Sequence, residues 1–376
     1  MPPKIRVLML SKACLVGIYQ RKLELIAQQG IELLALVPPL WRDERGELRL
    51  ERAYTDGYTL ETLPIHCNGN FHLHFYAGLG RRIRAFQPDI VHIDEEPYNL
   101  ATWQALYHAR KAENPSGERP KSLFFTWQNI QRQYPPPFRW GECWVLNNVD
   151  YTLVGTESAG TVWREKGYTG PMATIPQFGV DPDFFAPAEN RPGRPFTVGF
   201  IGRLVKEKGA AVLIEAVASL RGDWRLRILG AGPLQSELQE QITRLGIGER
   251  TQFDGTLPST QMPPYYHELD VLVLPSLTRP NWKEQFGRVL IEAMASGVPV
   301  IGSDSGAIPD VIGDAGIIIP EGNVRTLTEA LNRLRDEPTQ YRNFQKIGRE
   351  RVLAHFTHEK IALDTVRVYQ ELIKRV

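Results

Sequence analysis

Two carboxylates bracket the start of one helical pattern in the second half of the chain. Glu284 and Glu292 stand with seven residues between them in the stretch 281–297, whose apolar positions predict a helix over 288–295. That helix should begin near Gly287 and stop at Gly297, a glycine suited to a left-handed cap, with Pro299 forbidding continuation. Glu284 then lies on the loop leading in and Glu292 about a turn and a half inside the helix. The N–H groups of Phe286 and Gly287 fall between them. Ionised carboxylates only accept hydrogen bonds, so two of them facing a cleft suit sugar and ribose hydroxyls. The plainer alternatives are an N-terminal charge favoured by the helix dipole for Glu284 and an exposed helix position for Glu292. The apolar neighbours Ile291, Ala293 and Met294 argue against the second.

A second stretch supplies the opposite charge. In 199–209 an apolar run ends at Ile201, Gly202 turns the chain, and a helix begins near Gly209, leaving Arg203 and Lys208 on the loop. A strand-to-helix loop presents unpaired N–H groups and the positive end of a helix dipole, which suit phosphate oxygens. A guanidinium and an ammonium beside them can stabilise a departing diphosphate. A solvated charged turn is the competing reading.

The first half offers a less focused set. The run 89–97 places His92 between Val91 and Ile93 and follows it with Asp94, Glu95 and Glu96. His92 is either a satisfied core histidine or a hydrogen-bonding partner for a ligand hydroxyl. Glu95 and Glu96 can orient or deprotonate an acceptor hydroxyl, or begin the helix expected after Pro97. Adjacent strand residues point to opposite faces, so His92, Asp94 and Glu95 do not make a metal site. The stretch 126–140 mixes aromatic faces, amides and arginines, among them Trp127, Asn129 and Arg132, a chemistry that sugar or lipid-phosphate recognition uses. A proline-stiffened surface loop is the alternative. Arg81, Arg82 and Arg84 on one helix suit either a solvated face or peripheral contact with anionic headgroups.

The elements that must hold these residues alternate throughout. Strands are expected at 5–10, 32–37, 90–93, 123–126, 151–154 and 173–175, with helices at 17–28, 77–86, 100–112 and 158–166. The segment 181–195 holds four prolines and breaks the pattern, which places a hinge and domain boundary there. Strands then resume at 197–201, 225–229, 251–253, 271–274, 298–302 and 316–319. The fold class is therefore α/β, with two Rossmann-like doubly wound domains at 1–185 and 196–356. They should face each other across a cleft. A last helix over 357–376 is a candidate to cross back to the first domain.

Bulk properties narrow the class further. The 376 residues are 42% hydrophobic and 23% charged with a net charge of +1, so nucleic acid is not the expected partner. The opening MPPKIRVLML reads as a buried strand, not a signal peptide, and no window reaches membrane-span length. Cys14, Cys67 and Cys143 suggest neither a disulfide framework nor a zinc site, and a cytoplasmic setting is expected.

Taken together, these motifs resemble the group 1 glycosyltransferases, retaining enzymes of the GT-B fold. The resemblance rests on Glu284-x7-Glu292 with Phe286-Gly287, on Gly202-Arg203-Leu204 with Lys208-Gly209, and on Leu229-Gly230-Ala231-Gly232-Pro233. It extends to Phe253-Asp254-Gly255-Thr256-Leu257, the run 303–310 and the run 175–181, all in order. It implies that Arg203 and Lys208 hold a donor diphosphate with Gly202, that Glu284 contacts the transferred sugar, and that Glu292 contacts the ribose. Gly230 and Leu257 would line the base pocket, with Phe286 and Gly287 beside the donor. Where many relatives carry a Gly-Gly turn after the first strand, this chain has Gly17 alone. Relatives also place a histidine at the strand end that His92 occupies. The implied reaction is metal-independent and needs no cofactor. Its donor is a nucleotide diphosphate sugar, UDP- or GDP-linked. A hydroxyl acceptor, whether glycan, glycolipid or small metabolite, would contact Glu95, Trp127, Asn129 and Arg132. A sugar phosphorylase, a nucleotide-sugar epimerase and a non-catalytic sugar-nucleotide binder remain as rivals on the same architecture. A Rossmann dehydrogenase is excluded by the absence of a GxGxxG after any strand.

Overall fold

The computed structural model describes residues 4–43, 46–188 and 193–374. It divides into two compact units, one made of the chain up to Gly179 together with the part from His358 onward, the other of Val180–Thr357.

In the first unit seven strands pair in parallel in the order Met172–Thr174, Tyr151–Val154, Lys121–Thr126, Ile90–Ile93, Arg6–Leu10, Glu32–Val37 and Thr59–Thr62. The central strands read as continuous apolar runs because both faces of a parallel sheet are covered. Alternate side chains therefore go to different cores. Val7, Met9, Leu33 and Ala35 join Leu23, Ile26, Ile361, Val366 and Tyr369 on one face. Leu8, Leu10, Leu34 and Leu36 join Leu79, Ile83, Ala105 and Leu106 on the other. The helix His358–Lys374 thus supplies one wall of this unit, packed beside Arg21–Gln28.

The second unit has six parallel strands in the order Thr251–Gly255, Trp224–Leu229, Phe196–Ile201, Val271–Leu274, Val300–Ser303 and Ile317–Ile319. In both sheets the chain starts in the middle, moves outward one way, then returns to build the other side. Such a reversal leaves a crevice at the carboxyl ends of the two central strands. In the second unit those strands are Phe196–Ile201 and Val271–Leu274, the ones that lead into the two charged loops.

Three expectations are corrected. The boundary falls at Gly179–Val180, not within 181–195. Residues 181–188 pack in the second unit, where Phe185 is buried against Tyr266 and Arg349 donates to the carbonyls of Pro182 and Phe185. Residues 189–192 of the expected hinge lie outside the described residues. The edge strand Thr59–Thr62 and the hairpin Leu40–Asp43 with Gly46–Arg49 were not foreseen, because neither carries a long apolar run. Finally, the stretch expected to be loop through residue 140 turns helical at Phe138 and runs to Asn148, with Pro137 in the position before the first helical residue.

Candidate active site

In the second unit the crevice is assembled by backbones that come very close together. Gly209 ends the short turn Lys206–Lys208 at φ +70°, and a Cβ there would lie 1.9 Å from the Pro275 carbonyl oxygen. Gly230 at φ +149° is pressed onto Gly202, where a Cβ would meet the carbonyl oxygen at 1.9 Å. Only glycine fits either place. These contacts seat the 202–209 loop directly against the end of Val271–Leu274.

The result brings two expected site residues into contact. Lys208 Nζ lies 2.7 Å from Glu284 Oε2, and Ser276 Oγ donates to the same oxygen at 2.9 Å. Glu284 is nearly buried, and its backbone is gripped as well. The Ala307 N–H donates to the Glu284 carbonyl at 3.0 Å, while Gly306, at φ +56°, leaves no room for a Cβ beside it. Ser303, Ser305 and Gly306 come from the 303–310 run, whose role the spacing alone did not disclose.

Arg203 reaches solvent and makes no side-chain hydrogen bond or ion pair among the described residues, so its guanidinium is available to an anion. Gly287 takes φ +78° before the helix Arg288–Ala295, with Phe286 buried beside it. Glu292 is buried inside that helix, accepting from Tyr266 Oη at 2.7 Å and pairing with Arg288 Nε at 2.8 Å. Leu257 is half-buried just past the strand Thr251–Gly255.

The first unit holds a second polar cluster at its own central strand ends. Ser11 and Asp94 bond at 2.5 Å, and Gln177 donates to the other Asp94 oxygen at 2.9 Å. Glu95 is buried and meets Lys12 Nζ at 3.2 Å, with His74, Tyr76 and Asn99 around it. Burial alone would raise its pKa. Lys12 and His74 outweigh that and bring it to about 2. Lys12 also lies over the rings of Trp41 and Phe71, at 4.4 and 4.8 Å.

Glu96 does not open the next helix, which starts at Leu100. Instead it ties strand ends together, accepting from Thr126 Oγ1 at 2.6 Å and from the Trp127 N–H at 2.8 Å. Burial pushes it up to about 7, against those two hydrogen bonds. Trp127 donates from its ring to Gln177, Asn129 is buried, and Arg132 is exposed beyond them. His72, Tyr98, Tyr134 and Phe138 form an aromatic group beside this face.

Two further expected site residues lie in the core of the first unit. His92 is 1% exposed beneath the last helix, where its Nδ1 is engaged by Tyr369 Oη at 2.6 Å while Nε2 is buried with no hydrogen-bond partner. Burial holds its pKa well below the usual value. Gly17 is buried too, and its N–H donates to Glu51 at 2.6 Å. Lys12, Asp94, Gln177, Ser276 and Gly306 were not foreseen as site residues. A clue existed for Gly306 and Gln177, which lie within recognised motifs, but Gln177 and Asp94 meet only through the fold. Among the described residues no group of three His, Cys, Asp or Glu side chains is placed to hold a metal ion, and no helix is long and apolar enough to cross a membrane.

Residues 182–351 match the family described as Glycosyl transferases group 1. The MMP alpha-(1->4)-mannosyltransferase of Mycolicibacterium hassiacum is 30% identical over 228 residues, 59% of this chain and 54% of that protein. The chain thus spans about half the length of this curated relative. The structure of sucrose-phosphate synthase from Thermosynechococcus elongatus superposes with a TM-score of 0.72 at 22% identity, covering 99% of this chain and 100% of that one. Anabaena HepE in complex with UDP and glucose gives a TM-score of 0.69 at 16% identity, over 98% of this chain and 100% of that one.

Proposed function

We propose that this chain, whose residues 182–351 match the family described as Glycosyl transferases group 1, moves a sugar from a nucleotide diphosphate donor to a hydroxyl acceptor, with retention at the anomeric carbon. The observation that carries this reading is the Lys208–Glu284 pair at the reversal point of the second sheet. A cation for the diphosphate and a carboxylate for the sugar hydroxyls stand side by side there, with unpaired Arg203 on the same loop.

Lys208 and Arg203 would offset the charge that grows on the departing phosphate, with no metal ion required. Glu284 would accept from hydroxyls of the transferred sugar, and Glu292, held by Tyr266 and Arg288, from the ribose. Gly230 and Leu257 belong beside the base, and UDP- or GDP-sugars are the donors to try first. HepE, which holds UDP, supports that choice. The acceptor hydroxyl, of a glycan, a glycolipid or a small metabolite, is assigned to the first unit near Glu95, Trp127, Asn129 and Arg132.

The test is thermal stabilisation by UDP, GDP, ADP and their sugars, with Arg203→Ala alongside. A ligand bound only by the native state raises Tm, by an amount that grows with its concentration over Kd. We expect one nucleotide to do so and the variant to lose most of the shift. Stabilisation by none of them, with a response to NAD instead, refutes the proposal.

A further inference from the structure

Between Ser276 and Glu284 the chain makes an excursion, and its far end comes back to the charged pair. The Arg279 N–H donates to the Trp282 carbonyl at 2.8 Å and the Trp282 N–H to the Arg279 carbonyl at 3.1 Å. This pins a tight turn on Pro280 and Asn281. The base of the turn is anchored twice. Thr278 bonds to Glu321 and, through its hydroxyl, to Ser305 Oγ at 3.0 Å. Leu277 N–H donates to the Glu207 carbonyl at 2.8 Å, which links the excursion to the very loop that carries Lys208. Trp282 emerges half-buried, with its ring 5.2 Å from the Lys208 ammonium.

That placement answers a question raised by the pair itself. Lys208 and Glu284 neutralise each other when nothing else is bound. A diphosphate must draw the ammonium off the carboxylate, and Glu284 must then turn to uncharged hydroxyls. An ammonium on a flexible four-carbon stem, once released, has solvent on one side: its side chain is 21% exposed. An aromatic face within about 6 Å attracts a cation without supplying a competing charge. A second carboxylate in that place would repel the phosphates.

Resting on the donor reading above, we propose that Trp282 is a positioning residue. Its ring holds the Lys208 ammonium at the crevice while the bound diphosphate replaces Glu284 as the partner, which frees Glu284 for the sugar. The turn 279–282 exists to present that ring.

Calorimetric titration of UDP, GDP and uridine into the full chain tests this, using wild type, Trp282→Ala, Trp282→Leu and Trp282→Phe of matched Tm. Loss of the ring should weaken nucleoside diphosphate binding about 3- to 30-fold. Uridine, which has no phosphate, should bind all four proteins alike. Phe should restore most of the affinity and Leu little, because Leu fills space without an electron-rich face. Rescue by Leu as complete as by Phe, or an equal loss for uridine, would overturn the positioning role by making Trp282 a packing residue. Wild type that binds neither diphosphate would bring down the donor reading as well. Wild type that binds one while every variant binds it equally removes Trp282 alone.

Discussion

Glu96 shows how a single carboxyl can set a pH response. Its pKa is raised from an ordinary 4.5 to about 7, so the folded state holds a proton that the unfolded state releases. The stabilisation this brings is fully present below about pH 4.5 and is lost as pH rises through 7. Tm should therefore fall between pH 5 and 8 through this group, and Glu96→Gln should flatten that part of the curve whatever its own offset. Glu95, the residue just before it, acts oppositely. With its pKa near 2, its contribution is present above the ordinary carboxylate value and disappears only as pH drops toward 2. At Gly209 the constraint is steric instead. Ala there would combine a left-handed φ with a Cβ inside contact distance of a carbonyl, at a cost of roughly 3 kcal/mol or more. Chemical denaturation of Gly209→Ala measures it. Lys208 and Glu284 were each legible because both sit on loops that leave strand ends, where spacing carries meaning; their contact came only with the fold. His92 kept two readings in the sequence because alternation tells which face a side chain takes, not what covers that face.

At the scale of elements, the covering piece for His92 is the helix His358–Lys374, far away along the chain. Its buried residues Ile361, Ala362, Val366, Tyr369 and Leu372 close one face of the first sheet. A chain stopped after Thr357 should expose that face and bind a hydrophobic dye such as ANS, where the full chain does not. Tyr369→Phe is a gentler probe: it strips the partner from buried His92 Nδ1 and should cost about 1–3 kcal/mol. Long parallel strands were readable because burial on both faces makes them continuous apolar runs. The edge strand Thr59–Thr62 and the small hairpin escaped because half-exposed, short and mixed segments resemble loops. The helix Phe138–Asn148 was hidden by the prolines before it, which mark a stop as readily as a start.

For the molecule as a whole, the expected chemistry sits with a pattern of thiols that can be counted. Cys67 and Cys143 are exposed, whereas Cys14 is buried and its thiol is pushed up to about 11, mainly by burial and then by Asp94. A thiol-reactive reagent at pH 8 should label two cysteines in the native protein and the third only on unfolding; mass spectrometry reads the difference. Domain architecture was visible in the alternation of elements. The boundary was misplaced because a proline cluster marks where regular structure stops, and here the chain after Gly179 has already joined the second core.

That arrangement has a consequence for biosynthesis. The first unit draws its chain from both ends of the sequence, so a ribosome releases its seven strands long before the helix that closes one face. At about 5–20 residues per second, translating the intervening unit leaves that face uncovered for roughly ten to forty seconds. The nascent chain therefore carries an open apolar sheet through about half of its own synthesis, and the domain that starts first finishes last.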